Sequence, residues 1–281
     1  MKILITGAEG QLGHELCRVF KGNDLIPLSH KEGDITQTEI IQKIEKARPD
    51  LVIHGAAYTD VDGCENDPDY AYLVNALGTR NVVLGAQRVG AELVYISSDY
   101  VFDGKKGMPY LEFDETGPIN VYGRSKLAGE WYVQHLSKQF FIVRSSWLYG
   151  VEGKNFVKTI LKLAKEKDIL QIVNDQIGCP TFVKDVAKAI FSLMQTRMYG
   201  IYHAAAGGNC SWFDFACKIL KIWGINIKVE PISSKKLKRF AQRPSYSVLK
   251  NFCLSNLGIK MKTWEIGLLD FYESQKKTKS K

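Results

Sequence analysis

A chain of 281 residues, 45% hydrophobic and 24% charged, can bury a large core and has the make-up of an ordinary globular protein. No apolar run nears the roughly 20 residues that span a bilayer. The six cysteines (Cys17, Cys64, Cys179, Cys210, Cys217, Cys253) include no C-x-x-C pair, which argues against a metal or disulfide framework and for a reducing compartment, the cytoplasm.

The formal net charge of +8 is concentrated in two runs, Lys235-Lys236-x-Lys238-Arg239 and the tail lysines Lys276, Lys277, Lys279 and Lys281. Such runs read as solvated faces or frayed ends, so neither a nucleic-acid nor a membrane partner is expected. A small phosphate-bearing substrate would gain from the same positive potential.

In chain order, Lys2–Thr6 reads as a first strand, its apolar stretch too short for a signal peptide. Helical periodicity follows over Gly10–Lys21, then strand over Asp24–Leu28, helix over Thr38–Arg48, strand over Leu51–His54 and helix over Asp69–Val89. Strand Glu92–Ile96, helix Tyr122–Ser137 and strand Phe140–Arg144 complete the alternation. Repeated βαβ units predict an α/β fold, a doubly wound parallel sheet of the Rossmann type. Residues 1–150 form the dinucleotide-binding domain in this reading. Residues 151–281 mostly build a smaller C-terminal substrate-binding lobe, with parts of 176–205 and 240–255 completing the sheet. Helices over Asn155–Glu166, Phe182–Gln195 and Ser211–Trp223 and a strand over Gly200–Ala205 are expected there. Asn155-Phe156 reads as a helix start and core anchor, and His54 and His203, in apolar strands, as structural.

Gly7-Ala8-Glu9-Gly10-Gln11-Leu12-Gly13 places three glycines directly between strand and helix. The first permits a tight turn, the second lets backbone approach a pyrophosphate, and the third seats the helix on the strand. The end of the second strand reads Leu28-Ser29-His30-Lys31, without the acid that usually holds the adenosine ribose. Both NADH and NADPH are therefore compatible. Asp34 suits either that ribose or a helix cap, and Ile35 beside it could cover the adenine.

Tyr122 and Lys126 stand at i and i+4, on one face of a helix. A tyrosine with an ordinary pKa near 10 is a poor acid–base group unless its anion is stabilised. A lysine one turn along, with an oxidised nicotinamide, could bring it to about 7 for about 4 kcal/mol. The hydroxyl-bearing run Ser97-Ser98-Asp99 ends the fourth strand at the same sheet edge.

These motifs resemble the extended short-chain dehydrogenase/reductase family. Ser98-Asp99-Tyr100-Val101-Phe102-Asp103-Gly104, Asn120–Glu130, Ser145–Gly150, Asn174–Thr181 and Arg243-Pro244 resemble its dTDP-4-dehydrorhamnose reductase branch. The resemblance implies reduction of a nucleotide-diphospho-sugar at its C4 keto group by NADH or NADPH, with Tyr122 as proton donor. Lys126 would lower the pKa of Tyr122 and hold the nicotinamide ribose, and Ser98 would bond the carbonyl oxygen. It further implies that Gly7, Glu9, Gly10, Gln11, Leu12, Gly13, Asp34, Ile35, Ala57, Tyr58 and Thr59 line the cofactor. Asp99 and Trp147 would contact the sugar and Arg243 the diphosphate. Taken alone, Trp147 also suits a core position and Arg243 an ion pair.

The branch commonly has Thr where this chain has Ser98, a change that keeps the hydroxyl. Some members form metal-linked dimers through carboxylates. With a tail ending in lysines no metal is expected here, while a homodimer is compatible. The competing readings are another nucleotide-sugar 4-keto reductase or epimerase, or a non-catalytic NAD(P)-binding regulatory subunit.

Overall fold

The computed structural model describes residues 1–279, so Lys281 of the basic tail lies outside the described residues. Strands and helices alternate as β1 (Lys2–Thr6), α1 (Gln11–Val19), β2 (Asp24–Leu28), α2 (Glu39–Ala47) and β3 (Leu51–His54). Short helices α3 (Val61–Asn66) and α4 (Pro68–Tyr72) lead into α5 (Thr79–Val89) and β4 (Glu92–Ser98). Helix α6 (Val121–Leu136) and β5 (Phe140–Ser145) follow. The rest contains β6 (Leu148–Tyr149), α7 (Phe156–Glu166), β7 (Ile169–Val173), β8 (Ile177–Gly178), β9 (Thr181–Phe182), α8 (Val183–Thr196) and β10 (Gly200–His203). It ends with β11 (Cys210–Ser211), α9 (Trp212–Trp223), β12 (Lys228–Ile232), α10 (Phe252–Asn256) and α11 (Trp264–Lys279).

Six strands form one parallel sheet in the order β10-β5-β4-β3-β1-β2. Alternate residues of a strand face opposite ways. Ile3 and Ile5 of β1 therefore join one core with Leu16, Val186 and Ile190, while Leu4 joins a second with Ile40, Ile44 and Val82. Burial on both faces is why these strands read as nearly continuous apolar runs. The chain reverses direction across the sheet between β1 and β3, and the crevice beyond the strands' C-terminal ends opens at that point.

Two features depart from the sequence expectation. The helix expected over Asp69–Val89 is interrupted by one wide π-helical turn, Leu73–Gly78, which swings Asn75 inward. The sheet takes its sixth strand from Gly200–His203, whereas 240–255 adds no strand to it. That segment makes single bridges instead, Tyr246 to Ile177 and Leu249 to Tyr110, because it is spent tying loops together over the sheet edge.

Helix α6 is fixed to the sheet by a buried ion pair. Arg144 of β5 donates to both carboxylate oxygens of Glu130, at 2.9 and 2.7 Å, and Ser97 of β4 donates to Oε1 at 2.5 Å. The side chains of Arg144 and Glu130 are 3% and 0% exposed. Breaking such a pair strands a buried charge, at a cost of about 3–5 kcal/mol. Glu130→Gln is expected to lose about that much in urea unfolding, and Glu130→Gln with Arg144→Met less than the sum of the single changes. An additive double variant would show that the two groups do not interact.

Candidate active site

The first strand ends at Thr6, and the chain turns at Gly7, whose φ of 69° is a left-handed value that favours glycine. An added Cβ at Gly13 would lie 2.2 Å from the Gly7 carbonyl oxygen, so α1 can sit this close only with glycine there. The first turn of α1 has no acidic side chain and Gly10 caps it without a side-chain bond. Free N–H groups and the positive end of the helix dipole are thus left for an anion.

A cavity of about 840 Å³ runs from this turn along the sheet edge to α6. Gly7, Glu9, Gly10, Gln11, Leu12 and Gly13 line one end of it. Asp34, Ile35, Ala57, Tyr58 and Thr59 line its flank, and Ser98, Asp99, Tyr122, Lys126 and Trp147 the other end. Glycine cradle, apolar flank and bare helix terminus together fit a dinucleotide. Asp34 accepts bonds from the Thr36 N–H (2.9 Å) and hydroxyl (2.8 Å), while Thr38 occupies the N-cap position of α2. Of its two sequence readings, the helix cap therefore falls away.

Asn120 caps α6 by accepting from Gly123 N at 2.8 Å. Tyr122 and Lys126 then lie one turn apart on the face turned to the cavity. Ser98 lines the cavity with Tyr122, and its hydroxyl donates to Asp99 Oδ1 at 3.1 Å and accepts from Tyr100 N at 3.2 Å. Burial pushes the Tyr122 hydroxyl well above its ordinary value; Ser98 opposes the rise and Asp99 adds to it. Lys126 lies with its ammonium 4.2 Å from the centre of the Tyr95 ring. Burial lowers it to about 7, opposed by the negative Glu130. Asp99 is buried and pushed up to about 6 by desolvation, opposed by hydrogen bonds from Ser247, Ser146 and Ser98.

Trp147 turns the chain between β5 and β6 with φ of 46°, a strained value for a non-glycine residue that costs about 1–3 kcal/mol. Strain of this kind concentrates where a side chain must point into a site. Arg243 is placed differently from its sequence expectation. Its guanidinium forms a two-pronged pair with Asp62, both bonds at 2.7 Å, donates to the Ala241 carbonyl, and lies outside the cavity lining. Those bonds hold Asp62 at about 2. The ion-pair alternative is the one realised.

Three side chains matter that sequence reasoning passed over or read as bland. Asn75, delivered by the wide turn, accepts from Tyr58 N (2.8 Å) and donates to Tyr58 O and Ser125 Oγ (both 3.0 Å), fixing the cavity flank. Its only sequence signal was a polar residue inside an apolar helix. Trp212, the first residue of α9, lines the cavity beside Trp147. Gln11 is steadied by Asn155, which donates to its Oε1 at 3.0 Å while capping α7. His54 is held by Thr6 (2.7 Å) and Thr79 (3.0 Å), and burial lowers it to about 3, so it stays neutral.

No group of three or more His, Cys, Asp or Glu side chains suited to a metal occurs among the described residues. No helix among them is long and apolar enough to cross a membrane.

A doubly wound sheet, a glycine cradle and a Tyr-x-x-x-Lys helix in one cavity define a nicotinamide-dependent oxidoreductase. The chain belongs to the RmlD substrate binding domain family, whose model matches residues 1–276. It is 40% identical to the spore coat polysaccharide biosynthesis protein SpsK of Bacillus subtilis, over 98% of both chains. It is 37% identical to the dTDP-4-dehydrorhamnose reductase of Burkholderia thailandensis, over 94% of this chain and 95% of that one. The crystal structure of the dTDP-4-dehydrorhamnose reductase of Bacillus anthracis, in complex with NADP, superposes with a TM-score of 0.95. It shares 45% identity, over 97% of this chain and 99% of that one.

The buried lysine has a thermodynamic signature. Folded Lys126 titrates near 7, and an unfolded lysine near 10.4. Between those values the unfolded state binds the extra proton, so stability must rise with pH across that window. In cofactor-free protein, urea unfolding from pH 7 to 10 is expected to show this rise in wild type and its loss in Lys126→Met. Parallel curves for the two would contradict the burial of the ammonium.

Proposed function

We propose that the protein reduces the C4 keto group of dTDP-4-dehydrorhamnose with NADPH or NADH, giving dTDP-rhamnose, in the cytoplasm. The observation that carries this reading is that Ser98, Tyr122 and Lys126, the last two one helical turn apart, line the same cavity as the glycine cradle. The names of relatives that share its full length supply the substrate class.

The bound cofactor would supply hydride to C4. As negative charge grows on the C4 oxygen, the Tyr122 hydroxyl donates its proton there. Burial favours the protonated tyrosine, so it enters the reaction as an acid, the form that reduction needs. The tyrosinate left behind is stabilised by the Lys126 ammonium, whose charge is present below about pH 7. Ser98 turns its hydroxyl from Asp99 to the C4 oxygen and fixes the distance to Tyr122. Asp99, beneath both, holds Ser98 and closes this end of the cavity to water. Asn75 keeps Tyr58 and its neighbours in place against the cofactor.

Asp99 is followed by Tyr100 rather than by a second carboxylate, which leaves water elimination without an acid pair. A purely regulatory binding role would not need Ser98, Tyr122 and Lys126 gathered in one cavity. Tyr122→Phe is expected to lower kcat about 10²- to 10⁴-fold while equilibrium NADP⁺ binding is kept, with turnover followed as loss of reduced-nicotinamide absorbance. Undiminished turnover by the Phe variant would remove Tyr122 as proton donor.

A further inference from the structure

The indole of Trp147 lies between two surfaces. On one side Gly178 approaches so closely that an added Cβ would stand 2.4 Å from Cε2 and 2.7 Å from both Cζ2 and Nε1, which places it over the ring face. On the other side the Trp212 ring stacks on it, centroids 3.4 Å apart and planes 4° from parallel. Free aromatic pairs prefer offset or edge-on arrangements with centroids about 4.5–7 Å apart. A face-to-face stack at this distance is therefore imposed by its surroundings.

Those surroundings are one small ladder. Strand β8 pairs antiparallel with β11, Cys210 opposite Gly178 and Ser211 opposite Ile177, so the two walls of the slot are tied through adjacent residues. Ser211 and Asp214 cap α9 reciprocally and fix the helix whose first residue is Trp212. Phe156 backs Trp212 from α7, with ring centroids 4.5 Å apart. Thr181 N donates to the Trp147 carbonyl at 3.2 Å and anchors the strained backbone. With both faces covered, the indole meets the cavity only by its edge. It is a fixed boundary there and offers no face for a sugar to stack on.

We propose that Trp212 is a positioning residue of the keto-sugar subsite. It closes the slot opposite Gly178 and so holds Trp147 in its left-handed backbone conformation, edge toward the substrate. The inference rests on the keto-sugar reading of the cavity. It assigns work to a residue that touches neither the reacting carbonyl nor the glycine cradle.

The test compares wild type, Trp212→Phe, Trp212→Ala and Trp223→Phe, each as the full chain. Trp223 packs on Phe271 and Tyr272, away from the cavity, and serves as control. Three quantities are read: KM and kcat for dTDP-4-dehydrorhamnose, equilibrium NADP⁺ affinity, and the far-ultraviolet circular-dichroism couplet of two face-to-face indoles. Trp212→Ala is expected to raise KM about three- to tenfold, the worth of one aromatic pair, with kcat and NADP⁺ affinity nearly unchanged. Trp212→Phe should restore most of KM, since a ring again closes the slot. The couplet should vanish in both Trp212 variants and persist in Trp223→Phe.

An unchanged KM in Trp212→Ala overturns the proposal, as does NADP⁺ affinity falling in step with KM in both Trp212 variants. A couplet that survives in Trp212→Phe would show that the stack is absent in solution, which also overturns it. If wild type fails to turn over the keto-sugar, the functional reading falls by itself, and the couplet still decides whether the slot exists.

Discussion

The arrangement depends on one buried contact, the Glu130–Arg144 pair with Ser97 donating to it. Glu130 is two turns along α6 from Tyr122. Ser97 immediately precedes Ser98 on β4, and Arg144 stands three residues before Trp147 at the end of β5. One carboxylate thus sets the register between the helix that carries the proton donor and two strands that deliver its partners. Nothing apolar could do this as narrowly, because hydrophobic packing tolerates sliding and a bidentate guanidinium–carboxylate pair does not. Gly129 serves the same end: an added Cβ there would lie 2.3 Å from the Tyr95 hydroxyl, so α6 can approach the sheet only without one.

Close approach has electrostatic consequences that suit the proposed chemistry. Removing Tyr122 from water favours its protonated form, and removing Lys126 from water favours its uncharged form. The two shifts move the groups apart in pKa, so the resting tyrosine keeps its proton while the lysine is held near its point of half-charge at neutral pH. The tyrosine gives up its proton only when charge develops on a substrate oxygen. Asp99, raised by burial to about 6, adds a carboxyl that titrates close to neutral pH under the same hydroxyl network. The site holds its groups in a state that only substrate and cofactor complete.

Much of this was legible in the sequence because the signals were local. The glycine spacing after β1, the i and i+4 pairing of Tyr122 with Lys126, and the short continuous apolar runs of the strands each depend on residues close in the chain. What escaped depended on contacts between distant segments. Arg243 reads either as a phosphate ligand or as an ion-pair partner, and its two-pronged pairing with Asp62, far away in the chain, is visible only in the fold. Asp34 reads equally as ribose ligand or helix cap, and only the position of Thr38 at the start of α2 removes the second. The wide turn at Leu73–Gly78 has no periodic signature, since Asn75 is drawn inward by the backbone of Tyr58. Trp212 looks like one more apolar residue after a serine cap until β8 and β11 bring it against Trp147.

The most direct test of the central claim follows the hydride itself. Reduced cofactor carrying deuterium at the transferable C4 position would be incubated with dTDP-4-dehydrorhamnose, and the product sugar examined by NMR. A single deuterium at sugar C4, with one cofactor oxidised per product formed, is the result this account predicts. Product without deuterium at C4, or conversion of the sugar without net cofactor oxidation, would contradict it.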